Sequence, residues 1–223
     1  DKKIKWGIEA RVDAVNFELL KRMKEAGLHL ILYGFEVGNK KILDSLQKET
    51  TLKQAMKIAE ETKKAGILLQ GLFILGMPGE TKETCEETVE FAKRLDCDIA
   101  KFNLAMPFPG SKFYEDYKDK IPDILQHPEN FDSWQLWSSY LGKPVYTPEG
   151  MTDRELVSLQ KKATFQFYFR PRWIITHITK GIIPFKYVCY GAYVLISDYF
   201  KYLIDEAGII CKKYLNLNFV SKR

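Results

Sequence analysis

The chain has 223 residues, of which 46% are hydrophobic and 28% are charged, a composition that is ordinary for a globular protein with a sizeable core. Its net charge is +5, and charges of both signs are mixed along the sequence, so we expect no nucleic-acid partner. The four cysteines form no CxxC pair and no zinc-binding spacing, which predicts buried apolar thiols in a reducing cytoplasm, without disulfides or a metal site. They are Cys85, Cys97, Cys189 and Cys211.

Strands and helices alternate in the first half of the sequence. Short apolar runs typical of buried strands alternate with segments whose apolar residues recur at helical spacing. The predicted strands are 4–12, 28–35, 67–75 and 99–105, and the predicted helices are 16–26, 40–46, 51–66 and 81–95. This order predicts parallel βαβ units that form an open sheet or part of a barrel. In both folds ligands bind at the carboxyl ends of the strands, which fall at Glu36, at Gly76 and at residues 103–107.

The character of the sequence changes after this region. Residues 111–150 are rich in aromatic residues and turns. Thr152 and Glu155 then have the spacing of a capping box, which predicts the start of a helix. We expect this helix to run to about Phe169 and to break at Pro171, because proline cannot continue a helix.

The last part of the chain predicts further helices, over residues 173–215. Residues 188–197 are apolar, but the segment is too short to cross a bilayer, which needs about 20 residues. Two interpretations stay open for this region. We favour a helix packed on the protein, and the alternative is a helix that lies on a membrane surface.

Three segments at the predicted strand ends have residues suited to ligand contact. Glu36 ends a strand, so its carboxylate is placed to face an amine or a hydroxyl group. The glycines of residues 76–81 allow close approach to the backbone, and a loop that begins a helix presents free N–H groups. Residues 102–111 form the third segment. One alternative is that glycine and proline merely turn the chain, and another is a barrel enzyme with Glu36 and Glu80 as catalytic carboxylates.

In this order and spacing, the three segments resemble the second half of the radical S-adenosylmethionine (SAM) core, over residues 4–115. The most specific pattern is Phe-x-x-Gly-x-Pro-Gly-Glu-Thr at residues 73–81. The others are Gly-x-Glu-x-Gly-Asn at residues 34–39, followed by Lys48, and Pro-x-Pro-Gly-Ser at residues 107–111. The resemblance implies an α/β fold, a partial (β/α) barrel with parallel strands, followed by an α-helical C-terminal extension.

The resemblance also implies roles in SAM binding for individual positions. Glu36 matches a residue that contacts the methionyl or ribose part of SAM, and Lys48 matches a basic position that pairs with the SAM carboxylate. The positions that border the adenine are Phe73, Ile74, Gly76, Phe102 and Asn103. Arg11 matches an arginine that faces the barrel interior, and a structural ion pair near Glu9 or Asp13 is an equally weighted alternative.

A narrower resemblance lies in the C-terminal part. Residues 164–173 are similar to a Phe-Tyr-x-Arg-Pro segment of radical SAM proteins that carry an N-terminal cobalamin-binding domain. Such relatives include methyltransferases and enzymes of lipid, pigment and natural-product pathways. The resemblance therefore implies a small-molecule or lipid-like substrate, and it leaves the use of cobalamin open.

The family's [4Fe–4S] cluster requires a Cys-x-x-x-Cys-x-x-Cys motif, which this sequence lacks. We therefore expect no catalytic residue and no metal ligand, and the chain alone should be inactive. Because the sequence opens directly on a strand, we favour a fragment that works with an N-terminal domain of the same protein. The alternative is a degenerate relative, a non-catalytic helical interaction or membrane-surface module. The expected segments are a partial barrel over 1–115, an aromatic-rich connection over 116–150 and a helical extension over 151–223.

Overall fold

A computed structural model of the protein describes residues 4–120 and 144–182 and the separate positions 189, 191, 193, 196 and 197. Four parallel strands form one sheet in sequence order. They are β1 (Trp6–Ala10), β2 (Leu28–Glu36), β3 (Leu68–Leu75) and β4 (Ile99–Leu104). The parallel α/β fold with a helical C-terminal part, predicted from the alternation of elements, is confirmed.

Among the residues that the structure describes, seven α-helices are assigned, five before residue 120 and two after residue 144. They are α1 (Phe17–Glu25), α2 (Lys40–Ser45), α3 (Leu52–Lys64), α4 (Lys82–Leu95), α5 (Lys112–Tyr117), α6 (Asp153–Tyr168) and α7 (Pro171–Thr179). Helices α1 to α5 each begin after a residue whose side chain accepts a backbone N–H of the first turn, a contact that contributes about 1 kcal/mol. These residues are Asn16, Asn39, Thr51, Thr81 and Ser111.

One face of the sheet is covered by helices α3, α4 and α6. Residues of β3 alternate between buried and half-buried along the strand, because successive side chains point to opposite faces. On the covered face an aromatic row runs across the sheet to α6. Its members are Tyr33, Phe35, Phe73, Phe102 and Phe167, with neighbouring ring centroids 5.3 to 6.1 Å apart. We call this set the aromatic row.

The other face of the sheet, which we call the open face, is half-exposed. Leu32, Gln70 and Ile99 are register partners on it, and nearer the carboxyl ends Ile74 pairs with Asn103. All five side chains are partly accessible to solvent. The sequence analysis described β2 and β3 as buried strands, and the structure refines this, because only alternate residues are fully covered.

The described residues divide into two compact units, one ending at Phe167 and the other beginning at Tyr168. Helix α6 belongs to the first unit apart from its last residue. In the second unit, α7 begins at Pro171, the residue at which the helix that starts after Thr152 was predicted to break. Its Trp173 ring stacks on His177 at 4.0 Å, and the His177 Nδ1 atom lies 2.8 Å from the Trp173 carbonyl oxygen.

Two earlier predictions fall partly outside the described residues. Residues 121–143 of the aromatic-rich connection, 116–150, and five of the ten residues of the apolar segment 188–197 are in this category. The predicted segment boundaries remain predictions. None of the helices in the described part of the chain is both long and apolar enough to span a membrane.

Candidate ligand-binding rim

An ion pair between Glu36 and Lys48 lies at the carboxyl end of β2. The Lys48 ammonium donates to Glu36 Oε1 and lies 3.5 Å from the carbonyl oxygen of Gly34. The Glu36 side chain is 17% exposed and that of Lys48 is 36% exposed, so both charges remain accessible from solvent. A Cβ atom at residue 34 would lie 2.6 Å from Glu36 Oε1, so glycine leaves the space in which the carboxylate sits. A carboxylate beside an ammonium suits a ligand that carries both charges itself.

The backbone of Glu36 has an unusual conformation. Its φ angle is +64°, in the left-handed region, and the register between β2 and β3 shifts between Gly34 and Glu36. A non-glycine residue in this region costs on the order of 1 kcal/mol or more, and such strain clusters at functional sites. The bulge turns the carboxylate of Glu36 toward Lys48, a residue twelve positions further along the chain.

The loop after β3 closes on its own carboxylate. The N–H groups of Gly76 and Met77 donate to Glu80 Oε2 at 2.7 and 2.8 Å, and the Glu80 N–H donates to the Met77 carbonyl at 3.0 Å. The expectation that this loop presents free N–H groups to a ligand is therefore wrong for these two residues. Glu80 is also only 1% exposed, so it cannot act as a catalytic carboxylate on the surface of the rim.

Burial dominates the electrostatics of Glu80. It raises the pKa of this carboxyl to about 7, although the two backbone N–H groups and the Cys85 thiol favour the ionised form. Oε1 has no hydrogen-bond partner within the described part of the chain. The pKa of Cys85 is raised to about 12, chiefly by burial and then by the charge of Glu80, so this thiol stays protonated at neutral pH.

The two loops of the rim are tied together by α4. The Gly38 N–H donates to Thr88 Oγ1 at 2.9 Å, and Asn39 Nδ2 donates to Glu87 Oε2 at 2.7 Å. A Cβ atom at Gly38 would lie 2.5 Å from the Cβ of Phe91, so the loop after β2 rests directly against the helix. The same helix begins just after Glu80 and thus also supports the loop after β3.

The predicted adenine-bordering residues divide between the two faces of the sheet. Ile74 and Asn103 are half-buried partners on the open face, as a ligand contact requires. Phe73 and Phe102 are 0% and 4% exposed and belong to the aromatic row, so their side chains cannot reach a ligand on the open face. Phe73 and Phe102 could contact such a ligand only through their backbone atoms. Gly76 is buried, with φ +87°, and a Cβ would meet the α6 side chain of Leu156 at 2.7 Å.

Two further polar residues, one just after β1 and one on β3, bear on the prediction. Arg11 forms an exposed ion pair with Asp13 at 2.8 Å, which agrees with the structural interpretation of this arginine. Gln70 lies on the open face as a partner of Leu32, and the sequence analysis did not single it out. Burial alternates along β3, so Gln70 shares a side with Leu72 and Ile74. The sequence signal was a polar residue within a strand that is otherwise apolar apart from Gly71.

A cleft of about 560 Å³ adjoins the rim between the end of α2, residues 77–79 and α5. Met77 and Phe113 line it, and the ion pair between Lys112 and Asp116 flanks them. Phe113 also packs against the rim core, the buried cluster of Val37, Ile42, Leu43, Met77 and Ala105. The volume is within the range of small-molecule sites.

No group of three His, Cys, Asp or Glu side chains suited to a metal occurs in the described ranges 4–120 and 144–182. Cys85 and Cys97 are buried and form no disulfide within that part of the chain, whereas Cys189 is exposed. Cys211 lies outside the described residues.

Comparisons with known proteins identify a family. Residues 1–92 match the model of the radical SAM superfamily. An uncharacterised methyltransferase of Pyrococcus horikoshii is 34% identical over 175 residues, which are 78% of this chain and 36% of the relative. An anaerobic magnesium-protoporphyrin IX monomethyl ester cyclase of Cereibacter sphaeroides is 32% identical over 75% of this chain and 28% of the relative. The chain spans about a third of the length of these curated relatives.

Solved structures with related topology have low overall similarity. A radical SAM methyltransferase from Kitasatospora setae, bound to cobalamin and a [4Fe–4S] cluster, matches with a TM-score of 0.44 and 20% identity over 47% of this chain and 21% of its own. Coproporphyrinogen III oxidase from Escherichia coli matches with a TM-score of 0.46 and 16% identity over 62% of this chain and 33% of its own.

Proposed function

We propose, from the premise that residues 1–92 belong to the radical SAM superfamily, that this chain supplies the SAM-binding side of a radical SAM enzyme. The observation that carries the proposal is the accessible ion pair of Glu36 and Lys48 beside the open face. The pair lies at the carboxyl end of β2, on the side of the parallel sheet where ligands of such folds bind.

The charges of the ion pair fit the amino-acid part of SAM. The ligand's α-ammonium group is the natural partner of Glu36, and its α-carboxylate is that of Lys48. Each protein charge would exchange one partner for another, so neither is left without a counter-charge when SAM binds. The adenine would then lie along Ile74 and the backbone at Gly76, with the Asn103 amide offering hydrogen bonds to its polar edge.

The described residues do not fit the family's [4Fe–4S] cluster. Such a cluster is held by several cysteine thiolates, whereas Cys85 and Cys97 are buried and belong to no group of ligands in the described ranges. We propose that the cluster ligands lie outside this chain. Accordingly, this chain alone should bind SAM without cleaving it.

The reaction and the compartment are proposed at a coarser level. Methyl transfer is the leading class, supported by the name of the Pyrococcus horikoshii relative, and a small or lipid-like molecule is the substrate class that we favour. The cleft between α2 and α5 is large enough for part of such a substrate. Cobalamin use through an N-terminal domain stays a proposal. The buried, reduced state of Cys85 and Cys97 supports a reducing cytoplasm.

Titration calorimetry of the chain with SAM and with adenosine tests the proposal. Adenosine lacks the amino-acid part, so Glu36→Gln and Lys48→Met should each weaken SAM binding about tenfold or more and leave adenosine binding unchanged. The ion pair of Glu60 and Lys64 on α3 is the matched control, because it is exposed and distant in the fold from the rim. Glu60→Gln and Lys64→Met should change neither affinity.

The opposite outcome has a clear meaning. If the folded wild-type chain binds neither ligand, the SAM-binding proposal fails, and the non-catalytic interaction module becomes the better description. Equal losses for SAM and adenosine in Glu36→Gln would instead show that this carboxylate supports the fold of the rim and does not recognise the amino-acid part.

A further inference from the structure

Glu80 has no contact with SAM in the proposed site, yet its carboxyl group is bonded to the Gly76 loop that borders the proposed adenine position. The carboxylate oxygen Oε2 accepts two consecutive backbone N–H groups, those of Gly76 and Met77. The backbone N–H of the same glutamate donates to the Met77 carbonyl oxygen. Residues 76–80 therefore form a closed unit in which one side chain satisfies the donors that a glycine loop usually offers to an external anion.

This arrangement is unfavourable for stability alone. A carboxyl group that is 1% exposed loses most of its hydration, and its second oxygen, Oε1, has no hydrogen-bond partner among the described residues. An unpaired buried polar atom of this kind calls for an explanation beyond packing. The loop that it fixes supplies such an explanation, because Gly76 lies at the carboxyl end of β3 beside Ile74.

Two contacts hold Gly76 from different sides. On one side Glu80 accepts its N–H, and on the other side Leu156 of α6 packs where a side chain at residue 76 would project. The loop is thus fixed by a polar contact within itself and by an apolar contact from a distant part of the sequence. A displacement of either contact would move the backbone on which the adenine is proposed to rest.

We propose that Glu80 is a positioning residue of the rim, a buried carboxyl group that occupies the N–H groups of Gly76 and Met77 and fixes the adenine side of the SAM site. The inference rests on the proposed function for its ligand, and on the loop geometry for everything else. Removal of the carboxylate should leave two backbone donors and a space that a small carboxylate can occupy.

The test compares Glu80→Ala and Glu80→Gln with wild type, with Glu90→Ala on the exposed side of α4 as control. Affinities for SAM and adenosine and the Tm are measured in sodium formate and in sodium chloride of equal ionic strength. Glu80→Ala should weaken both ligands about tenfold, equivalent to about 1.4 kcal/mol, because the adenine part is common to both. Sodium formate, but not sodium chloride, should restore the affinity of Glu80→Ala for both ligands and raise the Tm of this variant.

Glu80→Gln should stay within about threefold of wild type for both ligands, since its amide oxygen still accepts both N–H groups. Glu80→Ala should weaken the binding of both SAM and adenosine, whereas substitution of Glu36 should weaken the binding of SAM alone. This difference separates the roles of the two glutamates. Should Glu80→Ala fail to fold, Glu80→Asp replaces it, because its shorter side chain keeps the charge but falls short of the two N–H groups.

The proposal is overturned if Glu80→Ala binds adenosine as tightly as wild type, or if Glu80→Gln loses as much affinity as Glu80→Ala. A formate effect equal to that of chloride also contradicts it. If the wild-type chain binds neither ligand, the proposed function fails, and the formate-dependent Tm of Glu80→Ala still decides whether the carboxylate holds the loop.

Discussion

The two faces of the same sheet have opposite characters. The covered face carries the aromatic row, in which Phe73 and Phe102 stack at 5.3 Å and are almost wholly removed from solvent. The open face, one residue further along each strand, carries Ile74 and Asn103, which remain half-exposed. At the rim the open face ends in an ion pair and a strained backbone, whereas the covered face ends in hydrophobic contacts.

The difference shows how one strand serves two purposes. Because side chains alternate with a period of two, stability is concentrated on one side and ligand-accessible groups on the other. The two glutamates of the rim follow the same division. Glu36 is accessible and paired with Lys48, and Glu80 is buried and bonded to backbone N–H groups. The predictions below separate the contributions of the two faces.

The largest expected effect is on the covered face. Phe73→Ala should lower the free energy of unfolding by about 3 to 5 kcal/mol, because it removes a fully buried ring from the middle of the aromatic row. Leu72→Ala, at the next position but on the open face, should cost only about 1 kcal/mol, since its side chain is half-buried. Urea denaturation of both variants provides the measurement. Equal losses would remove the distinction between the faces.

The second effect concerns pH. The pKa of Glu80 is raised to about 7 by burial, so the folded chain holds a proton that the unfolded chain has already released. Protonation of Glu80 therefore contributes to the free energy of unfolding at a pH below the unfolded pKa. As the pH rises from about 4.5 to 7, this contribution is lost, and the free energy of unfolding falls by up to about 3 kcal/mol. Glu80→Gln should flatten this part of the stability curve. Denaturation at a series of pH values decides the point, and an unchanged slope in the variant would contradict the assignment.

A third effect lies where the covered face meets α6. The Gln160 side-chain amide donates to the carbonyl oxygen of Phe102 on the edge strand β4, at 2.9 Å. Gln160→Met should lower the free energy of unfolding by about 1 kcal/mol through loss of this bond. Gln160→Glu should cost more at neutral pH, because it places a carboxylate against the carbonyl oxygen. If the two variants are equally stable, the hydrogen bond is not formed in solution.

The smallest effect concerns backbone strain at the rim. Gln47 and Glu36 both have positive φ angles, of +52° and +64°. Gln47→Gly should stabilise the fold by about 0.5 to 1 kcal/mol and leave SAM affinity unchanged. Glu36→Gly should gain less, since Lys48 loses its partner, and should abolish recognition of the amino-acid part of SAM. Thermal unfolding together with calorimetry tests both, and a stabilised Glu36→Gly that still binds SAM would refute the role of Glu36.

Much of the fold was predictable because local signals agreed with the final structure. The spacing of Thr152 and Glu155 predicted a capping box, which the structure forms. The apolar runs and the order of the elements predicted parallel βαβ units, and the strands and helices followed. The resemblance placed Glu36 and Lys48 in one site, and the structure brings them into contact although twelve positions separate them.

The remaining features depend on tertiary contacts that the sequence does not encode locally. A glycine-rich loop before a helix can offer its N–H groups to a ligand or bond them to its own glutamate, and the spacing of Gly76 and Glu80 allows both. Phe73 and Ile74 are adjacent apolar residues in a continuous apolar run, so their faces could not be distinguished until the covering helices were known.

The contact between Gly38 and α4 has a consequence for engineering. Because the loop after β2 rests on the backbone of residues 87 and 88, and the loop after β3 leads directly into the same helix, α4 sets the width of the gap between them. A designer who wishes to admit a bulkier ligand at the proposed SAM site would gain little from altering either loop alone. A substitution on the side of α4 that faces the two loops would instead change the distance between them.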